Sequence, residues 1–404
     1  MSERVFDTQA AGRSDSDSPS SAGSAPPSTS VARHDDARRP GAESAATRGS
    51  PTKPLSRTAG ATLAPNPSHL SAAPLESRSL LRVALAAFLI ALWITSVALA
   101  STELATESGW WSLPELVTRV ASAVATWVAI VALARRCGGR CVVIGLLAAV
   151  PLGLVAAFPE NWALAGSAVV AATSHGILAM VLTRPAHGWR VLRELVVSAL
   201  LGLAGALVVA GFDVELRPFR FRALVLAVVL IAALVLAWRF GHGLHSLGRR
   251  GVWLIAVGVV VLIGSVAYVQ AIRTWGSPGV AESLGDFKAS VADLVGAAPR
   301  PVEALVGFPA LMWGVSIRHR RRQGWWMCAF GALGAAGIAT ALVQPETPLR
   351  DSLSASVYDV VIGAVLGIFL IAVDARVTSR RIGQVETDAS HDIRPEPSRL
   401  APLL

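Results

Sequence analysis

The sequence predicts an all-α integral membrane protein: a polytopic bundle of about ten transmembrane helices, both termini cytoplasmic, with a disordered N-terminal tail. Three observations carry that reading. First, only 16% of the 404 residues are charged and 53% are hydrophobic, with a mean hydropathy of +0.54. Soluble domains carry about 25% charged residues. Second, apolar runs long enough to span a bilayer recur through the middle of the chain. Third, Arg318-His319-Arg320-Arg321-Arg322 stands between two such runs, Val302–Ile317 and Trp325–Val343. An arginine cluster calls for water, and the positive-inside bias holds it in the cytoplasm, which sets the direction of every other span.

The elements follow in order. Residues 1–79 are rich in Ser, Ala, Pro, Thr and Arg and have no apolar periodicity. Such a segment buries too little surface to offset chain entropy, so it reads as a disordered cytoplasmic tail with no signal peptide. It could serve as an interaction arm for a cytoplasmic protein partner. The transmembrane domain covers 80–373. Its spans are expected at Leu80–Ala100, Leu116–Ala134, Val142–Phe158, Ala163–Leu182, Leu195–Gly211, Ala223–Phe240, Val252–Ile272, Val302–Ile317, Trp325–Val343 and Ala355–Val373. A cytoplasmic tail, 374–404, closes the chain.

Charge alternates along this series. The connections expected inside are short and basic: Arg135, Arg136 and Arg140; Arg184, Arg190 and Arg193; Arg239, Arg249 and Arg250; then Arg376, Arg380 and Arg381. Those expected outside lack basic residues or mix them with acids. The exception is 212–222, where Arg217, Arg220 and Arg222 fall on the outer side. Trp110, Trp111, Trp162 and Trp275 at outer ends, and Trp189, Trp238, Trp253, Trp325 and Trp326 at inner ends, read as aromatic belts at headgroup level. Within the outer loop, 277–296 begins Ser277-Pro278 and repeats Val280, Leu284, Phe287, Val291, Leu294 and Val295 at helical spacing. That pattern predicts an extracytoplasmic amphipathic helix.

The net charge of +9 first suggests nucleic acid. The basic residues sit beside apolar runs, however, which is membrane topology, so no nucleic-acid partner is expected. Cys137, Cys141 and Cys328 are too few for a disulfide framework. His242 and His245 make no convincing metal site with them, and no metal or cofactor is expected. No Walker lysine motif, GxSxG or HExxH occurs, so the sequence names no catalytic residue.

Substrate-pathway candidates come from breaks and charges inside the spans. Ten spans divide into two groups of five, which would be inverted relative to one another. The third and eighth spans then correspond, and each is short and holds a proline, Pro151 and Pro309. Broken segments at matching positions point to a transporter's substrate site. His175, Asp359, Glu303 and Arg119 are ionisable residues inside or entering spans, where charge is costly and usually functional. With Glu160 they could form an outward-facing polar vestibule. Asp359 shares a helix face with Gly363 and Gly367, which is expected to face protein and to bring Asp359 to Arg119 or another polar group.

The stretch Arg350…Tyr358-Asp359-Val360-Val361-Ile362-Gly363 resembles the end of the late-helix pattern of lipid phosphatases. It lacks the required histidine, so none of that chemistry carries over. Ten helices with both ends inside is similar to the drug/metabolite transporter arrangement, as architecture only. The first functional expectation is a plasma-membrane permease or lipid flippase without its own ATPase, acting on a lipid or small molecule in the bilayer. A membrane-embedded enzyme working on a lipid or polyprenyl-linked substrate at the outer face is the second, using Asp359 or Glu303. A non-catalytic scaffold for envelope assembly is the third.

Overall fold

The computed structural model describes residues 73–106, 113–241, 298–318, 323–341, 348–382 and 396–403, with scattered positions between 252 and 290. Every element among the described residues is helical. The order is α1 (Ala73–Ala100), the short α2 (Thr102–Thr106), α3 (Glu115–Arg136), α4 (Cys141–Ala157), α5 (Asn161–Val181), α6 (Arg190–Ala210) and α7 (Pro218–Phe240). A π-helical turn, Val302–Gly307, then runs directly into α8 (Phe308–Arg318), followed by α9 (Gly324–Ala341) and α10 (Leu349–Ile382). Seven helices, α1, α3, α5, α6, α7, α9 and α10, are long and apolar enough to cross a membrane, and α4 is a shorter apolar helix. The expected span Val252–Ile272 and the amphipathic segment 277–296 lie largely outside the described residues. The tail up to residue 72 lies wholly outside them.

Several helices run past the expected spans. α1 begins at Ala73 rather than Leu80, α6 at Arg190 rather than Leu195, α7 at Pro218 rather than Ala223, and α10 covers Leu349–Ile382 rather than Ala355–Val373. Apolar content marks only the part of a helix that needs lipid or a core; a polar turn continues the same hydrogen-bond ladder at little extra cost. Helix ends elsewhere follow local chemistry. Pro218 opens α7 at its first turn, where a missing N–H is harmless. Gly138, at φ +72°, closes α3 through Gly138 N–H to Arg135 O and Gly139 N–H to Ala134 O.

The bundle has its polarity inside out relative to a water-soluble core. Aliphatic side chains such as Leu81, Phe88, Leu147, Ile231, Val365 and Phe369 are exposed, while His175, Glu194, Glu303, Arg318 and Asp359 are buried. An exposed apolar belt of this extent needs a hydrocarbon solvent.

α9 is the axis. Its apolar window is 94% buried against 17% for that of α1. It packs on α5, α6, α7, α8 and the π turn. The reason is in its sequence, Gly324-Trp-Trp-Met-Cys-Ala-Phe-Gly-Ala-Leu-Gly-Ala-Ala-Gly-Ile-Ala-Thr-Ala341: small residues let neighbouring backbones approach closely. A Cβ on Gly307 would come 2.6 Å from Gly334 N, and one on Gly202 would come 2.6 Å from Ala335 O. Gly258, in the stretch after α7, lies against Phe330 of the same helix. α7 ends beside Trp325, whereas the next continuous described stretch, 298–300, begins at the opposite end of the bundle next to Asp359.

Candidate functional site

Two clusters of buried charge lie at opposite ends of α8 and α9. The first is built around the π turn. Pro309 has no N–H to give Leu305 O, and its ring would crowd that carbonyl in a regular helix. The backbone widens instead, and Phe308 N–H reaches Glu303 O. Such widened turns recur at functional sites. Here the turn sets Glu303 against Gly337 of α9, where its carboxylate occupies the space a Cβ would need.

Glu303 is fully buried, and its carboxylate is held by one nitrogen of Arg222, at 2.7 and 2.8 Å from the two oxygens. Beside it, Asp359 accepts the backbone N–H of Arg300 at 2.6 Å through Oδ1. The Arg300 guanidinium approaches Asp359 Oδ2 at 3.6 Å, donates to Ser356 Oγ at 3.2 Å and to Ser352 O at 3.2 Å. Burial pulls the Arg300 guanidinium below its ordinary pKa, while Glu303 and Asp359 act to restore it. Asp359 Oδ2 is buried with no hydrogen-bond partner among the described residues.

This arrangement accounts for Arg222, one of the three arginines whose place broke the expected charge alternation. Arg222 is where it is because it neutralises a carboxylate that would otherwise stand alone in a dry interior. Arg300 does the same for Asp359. Neither was a candidate from the sequence. The signal available was that basic residues stood on the side that topology disfavours.

The second cluster is at the other end, and most of it was not anticipated. Arg318 is not in water, as its place in a basic run suggested, but wholly buried. Its donors are satisfied there. Nε and Nη2 hold Glu396 at 3.2 and 2.5 Å, Nη1 donates to Thr183 Oγ1 at 2.8 Å, and Nη2 also donates to Thr183 O at 3.1 Å. The ring of Trp325 lies 3.5 Å beneath the guanidinium carbon. Trp325 and Trp326 are therefore core residues, not belt residues; Trp325 stacks between Arg318 and Phe240. By contrast, Trp162, Trp189, Trp238 and Trp253 are exposed.

Glu396 belongs to the C-terminal segment, which packs on the bundle. Arg136 donates through Nη1 to the carbonyls of Ser398 and Ala401, and its own carbonyl accepts Leu403 N–H at 2.8 Å. Arg399 reaches Glu194, a fully buried carboxylate that also takes Arg193 and the backbone N–H of Arg184. Burial lowers the Arg399 pKa, and Glu194 opposes that shift. The same desolvation pushes the Cys137 thiol up to about 11. Because the 396–403 segment supplies the carboxylate of a fully buried arginine, Glu396→Ala is expected to cost about 1.5–3 kcal/mol. Thermal unfolding in detergent measures this, and an unchanged midpoint would mean that the segment does not hold Arg318 in solution.

The remaining candidates divide. His175 is fully buried and fully satisfied: Nδ1–H donates to Ala171 O at 2.8 Å and Nε2 accepts the Trp93 indole N–H at 3.3 Å. That pattern is one neutral tautomer, so His175 ties α5 to α1. Arg119 does not reach Asp359; it pairs with Glu115 one turn back, at 2.5 Å. Glu160 is exposed. The expected vestibule thus reduces to Glu303 and Asp359 with their two arginines. Pro151 and Pro309 also part company. α4 runs unbroken through Pro151, which is exposed on a helix packed chiefly on α3. Pro309 is buried, on a helix packed on α9 and α10. Lipid-facing prolines lose one hydrogen bond without forcing a break; only in the crowded core did the helix change its form. Asp359, Gly363 and Gly367 do face protein, with Phe308 against Gly363 and Met312 against Gly367.

No set of three or more metal-ligating side chains comes together among the described residues. Protein-family models, curated proteins and solved structures contain no match to this chain.

Proposed function

We propose that the chain is a permease or lipid flippase without an ATPase of its own: about ten spans in the plasma membrane, with both tails cytoplasmic. The observation that carries this reading is the pair of buried charge clusters, Arg222–Glu303 with Arg300–Asp359 at one end and Arg318–Glu396 with Arg399–Glu194 at the other. Buried ion pairs add little net stability, because desolvation offsets their attraction. Their presence at both ends of one core suits a protein that must open each end in turn. Between them runs a helix of small side chains, against which neighbours can slide with little steric interlock. Ionisable groups inside spans mark substrate and ion pathways, and the altered helix at Pro309 lies on that path.

The test is transport. Purified protein in liposomes should move a fluorescent anionic phospholipid between leaflets faster than protein-free liposomes do. Asp359→Asn should fold normally, judged by its thermal midpoint, yet lose that movement at least tenfold, since only the charge changes. No movement of anionic, zwitterionic or neutral reporters would sink the reading. The second reading, an enzyme at the outer face, draws on Asp359 Oδ2, which has the Arg300 charge nearby but accepts no hydrogen bond among the described residues. Chemical conversion of the reporter in the same liposomes would select it.

A further inference from the structure

A groove between α1, α3 and α5 ends at the second cluster, at Arg136 and Arg399. Its volume is about 240 Å³, and Leu89, Ile90, Val128, Leu178 and Leu201 line its length. α1 forms one wall, and its exposed Leu85, Phe88 and Ile90 belong to the apolar belt, so the groove borders the lipid side of the bundle. Trp93 is part of the lining and is held in place by its indole N–H on His175.

One end of this apolar groove is basic. Arg135, Arg136 and Arg399 border it. Arg136 is only 2% exposed. Its Nε and Nη1 donate to the carbonyls of Val181, Ser398 and Ala401, and among the described residues no carboxylate lies within ion-pair distance; Glu396, which attracts it from further off, is held by Arg318. Its Nη2 is buried and has no hydrogen-bond partner. A buried cation solvated by neutral carbonyls, with one donor left over, calls for an anion.

We infer that this groove binds one chain of a phosphate-headed lipid, with the phosphate on Arg136 and Arg135 and the chain along Leu178 and Val128. Charge complementarity selects the headgroup, and the aliphatic lining selects the chain. The volume admits about eight water-sized groups at about 30 Å³ each, and a methylene is close to that size. One alkyl segment therefore fits, and a protein helix does not. The site deepens the flippase reading by naming a lipid class and an entry face, and it rests on that reading only for its role in transport.

The full chain is exchanged into nanodiscs of phosphatidylcholine alone or with one-fifth phosphatidic acid, then released, and the lipid that stays bound is counted by native mass spectrometry. Retention of phosphatidic acid should exceed that of phosphatidylcholine by about tenfold, the worth of one charge-assisted bond. Arg136→Gln should abolish the preference. Ala132→Phe, which fills the groove and leaves every arginine in place, should remove the bound lipid with a near-normal thermal midpoint. If Arg136→Gln fails to fold, Ala132→Phe decides. Equal retention of both lipids, or bound phosphatidic acid surviving Ala132→Phe, overturns the site. Displacement of the lipid by millimolar inorganic phosphate would reduce it to a simple anion site and also overturn it. Transport that continues in a variant without bound lipid would remove the site and leave the permease reading standing; intact binding without transport would do the reverse.

Discussion

Arg222→Met should destabilise the folded protein by about 3–5 kcal/mol, the usual consequence of leaving a buried ion unpaired. Glu303 is fully buried, and Arg222 is its only ion-pair partner among the described residues. It cannot turn to solvent, because its carboxylate fills the space beside Gly337, whose lack of a side chain holds it there. Removing Arg222 leaves two options: an unpaired charge in a dry core, or protonation at a free-energy cost. The double variant Arg222→Met/Glu303→Met should recover most of the loss, because apolar side chains of similar length replace both charges. Unfolding in detergent, followed by intrinsic tryptophan fluorescence, gives the four corners of the cycle. A single variant that loses less than about 1 kcal/mol would place the pair in water, where exposed ion pairs contribute no more than that.

The second large effect is steric. Gly314→Val should cost about 3 kcal/mol or more and shift the unfolding midpoint down by several degrees, since overpacking forces backbones apart. A Cβ there would meet Cys328 N at 2.7 Å and Gly324 O at 2.8 Å, which are backbone atoms with nowhere to move. Gly307→Ala should behave alike, against Gly334 N at 2.6 Å. The control is within the same protein. Gly153 in α4 and Gly166 in α5 have nothing within 4 Å of an added Cβ. Alanine at either should be neutral or stabilising by up to about 1 kcal/mol, the helix-propensity difference. Equal effects at all four glycines would mean that α9 is not the close-packed axis described above.

The inner charges show where reading a sequence reaches its limit. Glu303 and Asp359 were visible as carboxylates in apolar runs, because isolated charge in hydrocarbon is costly wherever it points. Their partners were not. Arg222 is 81 residues from Glu303 in sequence, and Arg318 is 78 from Glu396. Nothing local marks such pairs; each looks like an ordinary loop charge. Arg318 was read as solvated because its neighbours are arginines, whereas its surroundings are Thr183, Trp325 and Glu396. His175 was picked as an ionisable group inside an apolar run, and only the Trp93 contact shows it as a neutral tie between helices.

The sequence by itself determined that the chain is helical and apolar enough for repeated membrane crossing, because composition and periodicity are local properties of the chain. 

It placed Asp359, Gly363 and Gly367 on one helix face for the same reason. Tertiary structure alone decided which helix is central, which prolines distort the backbone and which charges meet. Those outcomes depend on which surfaces touch. α9 became the axis because its glycines and alanines admit close neighbours on every side. The C-terminal segment packs on the bundle because Arg136, Arg318 and Glu194, drawn from three different helices, converge where Ser398, Glu396 and Arg399 can reach them. Convergence of that kind is a property of packed surfaces in three dimensions, and no window along the chain contains it.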